Sequence, residues 1–193
     1  MTFCEKWSIV LTYMKKKARL PMRKFLFFIF LVVGVALFAD EEVEKASSFT
    51  LKSMDNKTVC LDSLRGHYVI VDFWAIYCKS CVEGLDAMKD IYKTYKDRGL
   101  VYLAINEDGP RNISKVPGFV KGHQWEYTIL YDPKQEVQQL YGIQAIPETF
   151  IIDIEGNIIL RHRGYKKGEE KEIEKKLSEI LPEAGGDDGK EEN

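Results

Sequence analysis

Tyr68-Val69-Ile70-Val71-Asp72-Phe73-Trp74-Ala75, followed by Cys78-Lys79-Ser80-Cys81, decides the fold of this chain. The first eight residues are rich in β-branched and aromatic side chains and predict a buried strand. A helical pattern begins at the second cysteine. The two thiols therefore stand at a strand-to-helix turn, where unpaired backbone N–H groups and the helix dipole favour a thiolate. The second cysteine, one turn further on, is close enough to close a disulfide or to resolve a mixed one.

A Cys-x-x-Cys pair is also half of a zinc site, but zinc needs four ligands. There is no second Cys-x-x-Cys, and His67, His123 and His162 are scattered without metal spacing, so no metal is expected. Asp72 is the second clue. A carboxylate inside an apolar strand is costly unless it is paired or kept protonated. The plain alternative is an edge strand with Asp72 turned to solvent.

The segment Val71-Asp72-Phe73-Trp74-Ala75 with Cys78 and Cys81 resembles the active-site stretch of the thioredoxins. Ala145-Ile146-Pro147-Glu148-Thr149-Phe150 resembles the cis-proline loop of that family. Phe49-Thr50-Leu51 through Val59-Cys60-Leu61, with Ser63-Leu64-Arg65-Gly66, resembles the N-terminal hairpin of its TlpA/ResA-like branch. The resemblance covers nearly all of residues 47–181. It implies a thioredoxin-like three-layer α/β/α sandwich with a central mixed sheet and an N-terminal β-hairpin extension. It also implies a thiol-disulfide oxidoreductase acting outside the cytoplasm and needing no cofactor, with a Cys78–Cys81 disulfide.

In that reading Cys78 is the nucleophile and Cys81 the resolving thiol. Asp72 is a buried acid that manages the proton of Cys81, and Pro147 is the cis-proline facing the sulfurs. Trp74, Ile146 and Glu148 are the candidate substrate-binding positions, Trp74 by shielding the site through packing. The implied partners are disulfide-containing proteins and a membrane thiol donor, with apocytochrome c as a candidate substrate; the protein is expected to be a monomer. The chain departs from the branch pattern at four places. Ser80 replaces a proline, Gly84 stands where a glutamate is common, Asp86 replaces another proline, and Glu148 replaces a threonine. Glu148 either raises the pKa of a nearby cysteine by like-charge repulsion or points into solvent.

Residues 1–39 read as a signal peptide or N-terminal anchor: Phe25 to Ala39 carries no charge and follows Lys15, Lys16, Lys17, Arg19, Arg23 and Lys24. The apolar run is shorter than the ~17–25 residues of a spanning helix. Met22-Arg23-Lys24 would open a complete signal sequence by itself, so residues 1–21 are candidates for sequence upstream of the true start. Without residues 1–39 the chain keeps 21 basic and 29 acidic residues, a balance that suggests neither nucleic acid nor an anionic membrane as partner. Residues 40–46 read as a charged linker, 47–182 as the domain and 183–193 as a disordered acidic tail.

Within the domain, helices are expected over Val82–Arg98, around Val116–Lys121, after Asp132-Pro133 and over Glu169–Leu181. Leu100–Ile105 reads as a central parallel strand, and Glu148–Ile154 with Asn157–Arg163 as a hairpin. Cys60 reads as a buried, inert small hydrophobe. Two other classes share the fold. A peroxidase would carry Pro-x-x-x-Thr-x-x before its cysteine, and Val71 to Tyr77 has neither residue. A Sco-like copper module would use Cys-x3-Cys with a distant histidine, for which only His123 or His162 could serve.

Overall fold

The computed structural model describes residues 44–181; the proposed signal segment and the whole acidic tail lie outside them. β3 (Tyr68–Trp74) runs through the middle of a seven-stranded sheet of order β2-β1-β5-β4-β3-β6-β7. Its neighbours are β4 (Leu100–Asn106), parallel to it, and β6 (Glu148–Ile152), antiparallel. β5 (Thr128–Tyr131) lies parallel to β4, and β7 (Ile158–Arg163) forms the hairpin with β6. The N-terminal hairpin of β1 (Thr50–Ser53) and β2 (Thr58–Cys60) closes the other edge.

Helices on both faces explain why β3 is continuously apolar. Ile70, Asp72 and Trp74 alternate towards α1 (Lys79–Tyr95), α2 (Val116–His123) and α4 (Glu170–Ile180). Val69, Val71 and Phe73 face the opposite layer, built from α3 (Glu136–Leu140), Tyr141, Phe49 and Leu61. The result is the three-layer α/β/α sandwich with a mixed sheet. Among the described residues no helix is long and apolar enough to cross a membrane.

Several boundaries move for identifiable reasons. α1 starts three residues before Val82, because the Cys78 sulfur caps it by accepting the Cys81 backbone N–H at 3.2 Å. It runs into a 3-10 turn, Lys96–Arg98, closed by Gly99 at φ 93°, a left-handed conformation that suits glycine. α3 begins at Glu136 rather than at Pro133. The Asp132 carboxylate accepts from the backbone N–H groups of Glu136, Val137 and Gln138, which fixes the helix start there. Residues 44–46, expected as the end of a linker, are tied down instead: Ala46 is buried, and Lys45 bridges Asn157 beside the β6–β7 turn. Cys60 is half-buried rather than enclosed, and a hydrogen bond from Thr50, helped by backbone groups of Asp62 and Ser63, lowers its thiol pKa.

Candidate active site

The turn after β3 brings Cys78 to the N-terminus of α1, joined to Cys81 as a disulfide with Cα atoms 5.3 Å apart. Cys78 is partly exposed, whereas Cys81 is 2% exposed and sits in the core. Only the first sulfur can be reached from outside. Ser80 Oγ lies 3.6 Å from Cys78 Sγ, near enough to donate to a thiolate there. A proline at that position, as the branch pattern has, would have no donor to offer. The loop itself is held from beneath: Asp108, fully buried, accepts the Ile76 backbone N–H and the Asn106 side-chain amide, each at 2.8 Å. Sequence reading missed this clamp.

Asp72 is buried in the central strand, which rules out the solvent-facing alternative. Burial raises its pKa to about 7, against hydrogen bonds from Tyr102 and Thr149 and the charge of His162, which favour the anion. Tyr102 donates to Asp72 Oδ2 at 2.8 Å. Asp72 and Cys81 both line a cavity of ≈ 20 Å³ beneath the disulfide, together with Thr149, His162, Pro147 and Tyr165.

The Ile146–Pro147 bond is cis. The Ile146 carbonyl oxygen lies 3.9 Å from Cys78 Sγ, which places this loop against the exposed sulfur. A groove of ≈ 480 Å³ runs beside it, lined by Gly142, Ala145, Ile146, Pro147, Glu148 and Arg163.

Trp74 is corrected as a substrate-binding position, and Glu148, which lines the groove, in both readings of its charge. Trp74 is wholly buried; Phe119 stacks on it at 6.1 Å between ring centroids and the Trp125 ring meets it edge-on at 5.0 Å. It supports the loop from inside and offers a substrate no surface. The exposed aromatic is Tyr77, 67% exposed and directly before Cys78, which the motif comparison passed over. Glu148 neither points to solvent nor stands as a free anion near the sulfurs. Its carboxylate is 3% exposed and accepts from Arg161 Nε and Arg163 Nε.

The other departures also have local reasons. A Cβ at position 84 would lie 3.1 Å from the Tyr165 ring, so Gly84 makes room for Tyr165 where the branch carries an acid. Asp86 accepts from Trp125 Nε1 at 2.9 Å and meets His123 Nδ1 at 3.0 Å, holding the aromatic wall behind Trp74. His123 is thereby engaged by Asp86, while His162 lines the cavity beneath Cys81. Among the described residues no group of three or more His, Cys, Asp or Glu side chains is placed to hold a metal.

Residues 43–161 match the AhpC/TSA family. The chain belongs to this family. Its relatives include thiol-disulfide oxidoreductases. The thiol-disulfide oxidoreductase ResA of Halalkalibacterium halodurans is 31% identical over 183 residues, 89% of this chain and all of that one. The crystal structure of a thiol:disulfide interchange protein assigned as DsbE, from Chlorobium tepidum, aligns with a TM-score of 0.67 at 28% identity. That alignment covers 73% of this chain and 98% of the other. The exposed lipoprotein thioredoxin Etrx1 of Streptococcus pneumoniae aligns with a TM-score of 0.58 at 27% identity, over 69% and 99% of the two chains. This AhpC/TSA member is thus a thiol-disulfide oxidoreductase of the ResA kind, with Cys78 and Cys81 as its cysteine pair.

Proposed function

We propose that the protein works outside the cytoplasm as a reductant of protein disulfides, with Cys78 as nucleophile and Cys81 as resolving thiol. The carrying observation is the asymmetry of the pair: Cys78 is partly exposed, while Cys81 is buried in a cavity shared with Asp72. In the reduced protein the Cys78 thiolate attacks a substrate disulfide and releases one substrate thiolate. Cys81 then gives its proton to Asp72 and attacks Cys78 Sγ. The mixed disulfide breaks, the second substrate sulfur leaves as a thiolate, and the protein is left oxidised. The substrate gains the two electrons that the dithiol loses. The cis-proline loop positions the extended substrate chain.

A membrane thiol donor would recharge the oxidised pair, and apocytochrome c is the candidate substrate. The export reading is supported by the ResA alignment. It covers 89% of this chain, leaving about 21 residues outside it at most, and so extends over the apolar run Phe25 to Ala39. The test uses reduced protein and a disulfide substrate. Cys78→Ser abolishes electron transfer, while Cys81→Ser accumulates mixed disulfides, and the proteins it traps in intact cells identify the substrate. Equal trapping by both variants overturns the assignment of roles. Labelling of Cys81→Ser cells with a membrane-impermeant thiol reagent tests location: a Cys78 that stays unlabelled until lysis rules out an extracytoplasmic site.

A further inference from the structure

In the resolving step Asp72 receives a proton in the interior, and until that proton leaves, Cys81 can reclaim it while the departing thiolate attacks back. Asp72 stands opposite Thr149 between β3 and β6, and Thr149 stands opposite His162 between β6 and β7. Directly opposed residues of antiparallel strands project to the same face. The three side chains therefore form one row across the sheet, and all three line the cavity that also holds Cys81. At ≈ 20 Å³ that cavity has room for one water among polar partners.

His162 ends the row at the rim. Its side chain is only 13% exposed, yet Nε2 lies 3.3 Å from Glu169 Oε2 and Nδ1 3.1 Å from Glu172 Oε2. Those two carboxylates are 37% and 61% exposed. One imidazole thus joins the cavity wall to two wetted acids, of which Glu169 also lines the cavity. The titratable groups around it are Asp72 on β3, Cys81 on α1, Tyr165 in the loop after β7, Glu169 ahead of α4, and Glu170 and Glu172 on α4. Its strand neighbours Arg161 and Arg163 alternate to the opposite face, where they hold Glu148. The carboxylates around the ring suit a transient imidazolium.

We propose that His162 is the proton outlet of the dithiol, passing the proton released by Cys81 from the Asp72 cavity to Glu172 at the surface. The inference rests on the reading of Cys81 as the resolving thiol. Asp72 takes the Cys81 proton as the Cys78–Cys81 bond forms and the bond to the substrate sulfur breaks. Asp72 then returns to its anion by handing the proton, through a water in the cavity, to His162. The proton enters at Nε2, on the side where Glu169 lines the cavity, as the 3.3 Å contact to Glu169 opens, and the imidazolium releases its Nδ1 proton to Glu172 and on to bulk water. No electrons move in this relay, and His162 acts through Asp72, as a positioning and relay residue.

The test follows the two steps separately in the full chain, with oxidised glutathione as probe and mass spectrometry reading the mixed disulfide. Proton-transfer groups are worth ~10²–10⁴ in rate, and a relay one step removed is expected at about tenfold. H162Q therefore resolves the mixed disulfide about tenfold more slowly between about pH 6 and 8, while capture by the Cys81→Ser chain changes less than about twofold. In H162G, free imidazole recovers the lost rate, and pyrazole, equal in shape but a far weaker base, does not. Parent-rate resolution by H162Q, an equal fall in capture and resolution, or equal rescue by pyrazole overturns the proposal. Should neither His162 variant fold, the doubly changed E169Q/E172Q chain carries the test: slowed resolution supports the outlet and parent-rate resolution overturns it. Failure of the underlying reading has a different signature, since Cys81→Ser would then accumulate no mixed disulfide whatever occupies position 162.

Discussion

Asp72 links stability to pH with a definite sign. Its folded pKa, about 7, lies above the ordinary carboxyl value. The folded state therefore binds the proton more tightly than the unfolded one, and ionisation costs stability. No cost exists below about pH 4; it grows as pH rises to about 7 and is constant above, approaching about 4 kcal/mol at 1.36 kcal/mol per pK unit. Asp72→Asn is expected to raise the denaturant midpoint of the oxidised protein above about pH 5, with the gain levelling off past about pH 7. The same change slows resolution of mixed disulfides. Midpoints and resolution rates measured across this range check both, and a pH-independent stability difference would remove the buried charge from the account. The two mistaken side-chain readings are also of residue scale. The motif named Trp74 and Glu148 but said nothing of their partners. For Glu148 the signal was present: Glu148 and Arg163 stand equally far from Glu155-Gly156, and the hairpin pairs them directly. For Trp74 no local signal exists, because Phe119 and Trp125 come from a distant part of the chain.

At the scale of elements, nearly every strand was legible and the helix starts were less so. β3, β4 and the β6–β7 hairpin announce themselves by β-branched runs and a Glu-Gly turn. α1 begins early because a cysteine sulfur does the capping, a role ordinarily signalled by Ser, Thr, Asp or Asn. α3 is five residues long, and its start depends on a single carboxylate binding three backbone donors. Asp132→Ala leaves those donors unsatisfied and is expected to cost about 2 kcal/mol, the upper end for helix caps. Thermal or denaturant unfolding checks this, with exchange kinetics unchanged because α3 packs on the sheet face opposite the cavity. A loss no larger than that of an exposed Asp→Ala control would mean that other groups satisfy this helix start.

For the whole molecule, the sheet separates two cores with different duties. One contains Cys81, Trp74, Leu85 and Met88 and so includes the redox centre; the other is built round Phe73, Phe150, Tyr141 and Val71. A cavity in the second core touches neither sulfur nor Asp72. Phe150→Ala is expected to cost about 3–5 kcal/mol, by the same amount in the oxidised and the reduced protein, and to leave the reduction potential where it was. Unfolding both redox forms tests this directly. Unequal losses would mean that the sheet transmits strain from one face to the other.

The strand order also sorts the three thiols of residues 44–181. Cys60 ends β2, at one border of the sheet, whereas Cys78 follows β3, four strands away. Four strand spacings of about 4.8 Å put the two roughly 19 Å apart, and a disulfide tolerates Cα separations of only about 4.4–6.8 Å. Once the sheet is assembled, the odd thiol is out of reach of both active cysteines. A crosslink from Cys60 to either of them belongs to chains that oxidised before their strands were ordered, and the finished architecture works as proofreading against scrambled pairing.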